Sequence, residues 1–242
     1  MNQFEFKQYF VRNRPHIHPP GATLFVTFRL AGSIPKSTLR EYRAKKDWLD
    51  NELLRIEREI SGNSSDIFEK QYGRFLEFHR IWFLKFEDIL HGAKNGAMWL
   101  GEPEIRRIVA EKLLEDNGEK YRLDAFSIMS NHVHIVFRPN LSEANLVEDT
   151  SSGRPKFVSE EDTMAEIMQS LKGVTARKAN LALKRSGSFW EKESYDHYVR
   201  DDAGFYQIVK YTLNNSVKAK LVSHWQEWEG NYLAERLSET FQ

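Results

Sequence analysis

The run Ser130-Asn131-His132-Val133-His134-Ile135-Val136-Phe137 constrains this chain more than any other stretch. It is β-rich, and on an extended strand residues i and i+2 point to the same face. His132 and His134 can therefore share one ligand, while Val133 turns to the opposite face and helps bury the strand. Neutral imidazole is a common metal donor, so the pair is a candidate metal face. A second His-X-His, His16-Ile17-His18, serves as an internal control. The adjoining Pro19-Pro20 argues against a ladder-paired strand, so a shared face is not enforced there and the segment reads as a loop or extended arm.

Around this strand the chain alternates β and helical patterns. Ala22 to Leu30 sets Leu24, Val26 and Phe28 against Thr23, Phe25, Thr27 and Arg29, the signature of a first strand. Gly32 and Pro35 stop it, and Ser37 or Thr38 caps a helix to about Ile60. After Gly62-Asn63-Ser64-Ser65 a second helical segment, Ile67 to Leu90, carries Phe75, Phe78, Trp82, Phe83, Phe86 and Leu90, which read as core packing. Pro103 suits the first turn of a helix through Leu114. Tyr121 to Met129 predicts a strand, Ser130-Asn131 a turn, and His132 to Arg138 the return strand of a hairpin. Polar residues 141–159 read as a loop, and 163–183 as an amphipathic helix ended by Gly187. Phe189 to Val199 predicts a last strand or strand pair with a turn at Lys192-Glu193-Ser194. Asp201-Asp202 opens a helix to about Lys218, acidic residues favouring the positive N-terminal end. The order is β, helices, β, β, helix, β, helix. That predicts an α+β, ferredoxin-like (split βαβ) antiparallel sheet in a single domain over 1–242. It has a basic arm (1–20), an enlarged helical insertion after the first strand (about 37–91), an extra C-terminal helix and a Trp-rich tail (221–242).

Bulk properties narrow the function classes. The 242 residues, 40% of them hydrophobic, are enough for a sizeable core, and no apolar run is long enough to cross a bilayer. The N-terminus lacks a signal-peptide layout, so a cytoplasmic protein without a membrane partner is expected. With no cysteine, disulfides, thiolate metal sites and a cysteine nucleophile are excluded. Lys plus Arg and Asp plus Glu both number 35, so a nucleic-acid partner needs a locally basic surface. One exists: Lys172, Arg177, Lys178, Lys184 and Arg185 fall in a stretch without an acid, and Lys218 falls in another. Arg12 and Arg14 of the arm are further candidates for reaching DNA.

The last helix carries Tyr211 and Asn215, four apart and hence on one face. A two-histidine site needs at least one oxygen donor to hold a hard divalent cation, and Asn215 can supply it. Tyr211 would then stand beside a metal-bound phosphate. These parts suit phosphoryl transfer to tyrosine: a phenol, with an ordinary pKa of about 10, needs a polarised phosphate to act at neutral pH. A covalent phosphotyrosine conserves bond energy, so a DNA hydroxyl can later displace it and rejoin strands.

Taken in order, the hairpin MSNHVHIVFRPN, the basic helix SLKGVTARKANLAL, the block SFWEKESYDHYVRDD and the helix FYQIVKYTLNNSVKAKLV resemble the single-tyrosine HUH transposases, specifically the REP-associated tyrosine transposases. The resemblance runs from FVTFRL to the Trp-rich tail and leaves out most of Leu39 to Leu90. It implies a Mg²⁺ or Mn²⁺ ion, single-stranded DNA with a hairpin near the cut, and a 5′-phosphotyrosine intermediate with a free 3′-OH. His132 and His134 match the metal-binding pair, Tyr211 the nucleophile and Asn215 the polar metal-side residue. The chain departs from the family at Ser130 and Ser216, where proline is frequent, and at Lys220, where glycine is common. Ser216 bears on the aim of Asn215, for which Asn214 is the substitute. Glu191 and His197 lie in a family-like block and have either site or structural roles.

A metal-dependent, single-strand-specific DNA nickase and strand transferase, acting as monomer or homodimer, is therefore expected. One rival is a non-catalytic single-stranded nucleic-acid-binding module that stacks bases on exposed sheet aromatics. Another is a metal hydrolase that uses water and survives loss of Tyr211.

Overall fold

The computed structural model describes residues 22–59, 65–92, 96–140, 146–148, 155–157, 160–199 and 201–241. The N-terminal arm, with Arg12, Arg14 and His16-Ile17-His18, lies outside them. The described residues form two compact units, one of residues 32–96 and one of 22–31 with 97–241.

The first unit is a helix pair, α1 (Lys36–Glu59) and α2 (Ser65–Gly92). Tyr42 of α1 meets three aromatics of α2, stacking on Phe78 and lying edge-on to Trp82 and Phe86, at 5.2 to 5.7 Å between centroids. These rings stand four residues apart in succession, so one stripe of α2 supplies all three. At the rim, Glu41 accepts from Lys45 and Lys85, and Lys85 Nζ lies 4.2 Å from the Trp82 ring centroid. Phe78, Trp82 and Phe86 thus pack as expected of a helix core.

The second unit is built on a five-stranded antiparallel sheet. Its strands are β1 (Thr23–Arg29), β2 (Tyr121–Ile128), β3 (His132–Pro139), β6 (Tyr195–Val199) and β7 (Asn231–Leu233), in the order β6-β1-β3-β2-β7. The helices are α3 (Pro103–Glu115), α4 (Glu160–Ala182) and α5 (Asp202–Lys218). Alternation along the strands sorts side chains into two layers. Leu24, Val26 and Phe28 of β1, Val133, Ile135 and Phe137 of β3, and Phe126 and Ile128 of β2 join Ile105, Val109 and Leu113 of α3 and Ile167 and Leu171 of α4 in one buried core. The other face carries Phe25, Thr27, Ser127, His132 and His134, and α5 packs over it against β2 and β3. The fold is α+β.

Most predicted elements appear with ends shifted by a few residues. Pro103 opens α3, and Asp201 caps α5 by accepting from the Gly204 amide at 2.7 Å. Two details differ. Residues 146–148 and 155–157, inside the predicted loop, pair as a short hairpin, β4 (Leu146–Glu148) and β5 (Pro155–Phe157). In Phe189 to Val199 only the second half is a strand; Trp190 bridges Leu30 and sends its indole into the core, donating to Thr175 Oγ1 at 2.9 Å. Helix α4 ends at Ala182, within one residue of the predicted end: Lys184 takes the left-handed conformation (φ +50°) and the Arg185 amide closes onto the Asn180 carbonyl. Lys220 (φ +59°) ends α5 in the same way, with the Leu221 amide on the Ser216 carbonyl. A lysine thus fills a position that glycine fills without steric cost.

The Trp-rich tail returns to the sheet. β7 pairs with β2 at Ala125, Phe126 and Ser127, and Asn231 Nδ2 reaches the carbonyls of Leu213 and Trp225 at 3.0 and 2.8 Å. Gly230 makes this docking possible. Its carbonyl accepts from the Ile128 amide at 2.8 Å while Trp228 Nε1 donates to the Ile128 carbonyl at 3.0 Å. A Cβ at 230 would stand 2.4 Å from Trp228 Nε1 and 2.5 Å from the Ile128 oxygen. Gly230→Ala is therefore expected to lower stability by about 1–3 kcal/mol, measured by denaturant unfolding, through displaced contacts of Trp228 rather than helix or strand propensity.

Candidate metal and nucleophile site

The site lies on the α5-side face of the sheet, at its centre. β3 is an interior strand, flanked by β1 and β2, and the register places Thr27 on one side of His134 and Ser127 on the other. Both histidines are fully buried. Their Nε2 atoms stand 3.0 Å apart and their rings are nearly perpendicular, at 80°. The outer nitrogens are held from behind: His132 Nδ1 lies 2.7 Å from Asn131 Oδ1, and His134 Nδ1 lies 2.7 Å from Thr27 Oγ1. Such partners fix ring orientation and leave the two Nε2 atoms turned toward each other.

An aromatic wall positions the rest. Phe25 stacks on His134 at 5.5 Å and 14°, and Tyr195 and Tyr211 meet Phe25 edge-on. Tyr211 also lies edge-on to His134, with centroids 5.7 Å apart. The α5 tyrosine is thereby brought against the histidine pair, eighty residues away in sequence. One turn on, Asn215 is buried and its Nδ2 donates to the Tyr211 carbonyl at 2.8 Å, while its Oδ1 is a buried acceptor without a hydrogen-bond partner. Asn214, by contrast, is half-exposed and folds its amide back onto the Lys210 carbonyl. Ser216 leaves the helix unbroken: its hydroxyl donates to the Leu213 carbonyl and accepts from Asn231.

The fit of a divalent cation to this set can be judged from donor spacing. Two ligands on adjacent corners of an octahedron of radius about 2.1 Å stand roughly 3.0 Å apart. The Nε2 pair matches that separation, and Asn215 adds a buried oxygen with a free lone pair on the helix that covers the same face. Imidazole nitrogens are common donors to divalent transition metals, and an amide oxygen suits harder cations, so the donor set fits a divalent cation without selecting one.

The predicted cationic surface divides into two groups. Arg177, Lys178, Lys184 and Lys218 are exposed. Lys172 and Arg185 are engaged with the protein. Arg185 lies 3.9 Å over the Trp99 ring and donates to Asn180 Oδ1 and to the Ser188 carbonyl. Lys172 Nζ donates to the carbonyls of Glu191 and Lys192 at 3.1 and 3.3 Å, tying α4 to the segment before β6. Glu191 itself pairs with Arg29 at 3.6 Å. Residue-type reasoning alone did not select Phe25, Thr27, Asn131 or Tyr195. Their signals were present: Phe25 and Thr27 share the second face of the first strand, and Asn131 immediately precedes the first histidine.

Burial, then the neighbouring Arg29 guanidinium, pulls the Lys172 ammonium down to about 8, against Glu191 and Glu193, which push it up. Between that value and the ordinary lysine pKa the unfolded chain holds a proton that the folded chain has released, so this group makes stability rise with pH from about 8 to 10.5. Lys172→Met is expected to abolish that contribution, seen as a loss of the alkaline rise in the urea midpoint relative to the wild type.

No family model matches the chain, and no curated protein matches it. A solved structure of a REP-associated tyrosine transposase bound to a REP hairpin aligns over 95% of this chain and 82% of that one, at 13% identity and a TM-score of 0.38. Likeness at that level fixes neither fold nor function.

Proposed function

We propose that this chain is a metal-dependent, single-strand-specific DNA nickase and strand transferase that uses Tyr211 as its nucleophile, a transposase of the single-tyrosine HUH type. The observation that carries the reading is the packing of the Tyr211 ring against His134, whose Nε2 stands 3.0 Å from that of His132. In this reading the sheet order β6-β1-β3-β2 belongs to a ferredoxin-like split βαβ, with α5 as the added helix and β7 as a further edge strand.

His132, His134 and Asn215 would hold Mg²⁺ or Mn²⁺. Bound there, the cation would polarise the scissile phosphate and offset negative charge in the transition state. The remaining roles fall to the chain itself. The α5 helix aims Tyr211, whose hydroxyl oxygen forms a bond to phosphorus as the bond to the 3′ oxygen breaks. The phenol loses its proton and the departing 3′ oxygen gains one, leaving a 5′-phosphotyrosine and a free 3′-OH. Attack by a DNA hydroxyl on that phosphotyrosine reverses the exchange and releases the tyrosine, so strands rejoin without a nucleotide cofactor. Phe25, stacked on His134 and edge-on to Tyr211, keeps the two rings in fixed relation. Arg177, Lys178, Lys184 and Lys218, all exposed, would meet DNA phosphates, and Lys172 and Arg185 would serve that surface through the segments they hold in place. Hairpin-bearing single-stranded DNA is the substrate this reading expects.

The base-stacking module fits less well. It needs aromatic side chains open on the central strands, whereas Phe25, Phe28 and Phe137 are buried and α5 covers the face opposite the main core.

The test uses the full chain with labelled hairpin single-stranded DNA from the flanks of its own gene, with Mg²⁺ or Mn²⁺. A denaturation-resistant protein–DNA adduct is expected with the wild type. Tyr211→Phe is expected to lose the adduct entirely while still binding DNA, and His132→Ala to lower its yield by at least 10²-fold. Cleavage that persists in Tyr211→Phe would assign the chemistry to water and overturn the tyrosine mechanism.

A further inference from the structure

Helix α1 keeps one large aromatic in water. Tyr42 turns inward onto α2, whereas Trp48, six residues on, is 61% exposed, and tryptophan is among the residues most enriched where protein surfaces meet. Its surroundings are ordered by charge. Residues three, four and seven away share its helical face: Glu41, Ala44 and Lys45 before it, Asn51, Glu52 and Arg55 after it. All are exposed except Glu52, which is half-buried. Lys45 donates to Glu41 at 3.3 Å and Arg55 to Glu52 at 2.9 Å, so each side of Trp48 carries one carboxylate and one cation. Their order reverses across it. Outward from the indole, the cation comes first on the N-terminal side and the carboxylate first on the C-terminal side. Such a face is its own complement. Laid antiparallel on a second copy about a two-fold axis at Trp48, Lys45 of one copy meets Glu52 of the other and Glu41 meets Arg55, while the short side chains of Ala44 and Asn51 face each other. Asn51 stays low on the helix by donating to the Asp47 carbonyl at 2.8 Å. A parallel pairing would instead set Lys45 on Lys45 and Glu41 on Glu41.

We propose that the Trp48 face of α1 is a self-association surface through which two copies of this chain pair as an antiparallel, two-fold symmetric dimer. The charges select a second copy over other occupants. A basic or an acidic ligand would meet as many like charges as opposite ones on this face, whereas an inverted copy matches all four. Lys plus Arg and Asp plus Glu both number 35, so no net repulsion opposes the approach of two copies. Because the same patch serves both subunits, every contact occurs twice and the assembly closes at two. Exposed ion pairs are individually weak, but here each intrahelical pair joins one from the other copy in a network around two indoles that become buried. The helix lies outside the segments on which the proposed chemistry rests, so the two readings stand separately.

The experiment is sedimentation equilibrium of the full chain, from micromolar to near-millimolar concentration. A monomer–dimer equilibrium is expected, weakening as salt is raised. Trp48→Lys is expected to weaken dimerisation by about tenfold or more. Lys45→Glu and Glu52→Lys are each expected to weaken it as well, since the first leaves only carboxylates and the second only cations at the two facing positions. An equal mixture of these two variants is expected to pair more tightly than either does alone. Far-UV circular dichroism and cooperative thermal unfolding check that each variant keeps its fold. A wild type that stays monomeric throughout would overturn the proposal and leave the face to a different partner. A dimer of wild-type strength in a folded Trp48→Lys would overturn it by placing the interface elsewhere. A mixture that pairs no better than its components would refute the antiparallel register.

Discussion

Placing two imidazoles side by side on an interior strand, away from water, is the constraint to which the rest of the second unit answers. Each ring brings two nitrogens that cannot be left stranded, a burden of a few kcal/mol per group where no partner is found. The sheet meets it by register. Pairing β1 with β3 so that Thr27 faces His134 supplies one hydroxyl, and the tight turn before β3 supplies the amide of Asn131. A slip of one residue between these strands would turn Leu24, Val26 and Phe28 away from the core and would remove Thr27 from His134 together. Hydrophobic patterning on one face and polar satisfaction on the other therefore enforce the same alignment.

The second layer follows from the first. With the histidine face closed by α5, the helix must bring a side chain that packs on imidazole and one that tolerates burial as a polar group. Tyr211 and Asn215 are those residues, one turn apart. Ser216 receives the Asn231 amide and links the helix to the returning tail. Helix, sheet and tail meet within a few residues of the site, so the aim of the phenol is set by packed elements rather than by a loop.

Much of this was legible in the amino-acid sequence because its signals are local. Period-two alternation in Thr23–Arg29 and His132–Pro139, the Asp201 cap and the Pro103 start each act within a turn or a strand. The histidine pair and the Tyr211–Asn215 face were readable on the same ground. What escaped depends on distance. Thr27 could not be matched to His134 without the β1–β3 register, and Tyr195 could not be matched to Phe25 without β6 beside β1. β7 is three residues long and has no pattern of its own; it forms because Gly230 and Trp228 dock on Ile128. Lys172 reads as a free cation by type, yet carbonyls it cannot be matched to in sequence occupy its ammonium.

The returning tail has a bearing on how the molecule behaves in a crowded solution. β2 is eight residues long, and its outer side would be a row of unpaired amides and carbonyls were it the last strand. β7 shields Ala125, Phe126 and Ser127 at the middle of that row and stacks Tyr232 on Phe126 at 5.1 Å. The border of the sheet thereby passes from a long apolar strand to a three-residue one, too short to template addition of another chain. The returning strand Asn231–Leu233 thus guards against edge-to-edge self-association, independent of any chemistry at the histidines.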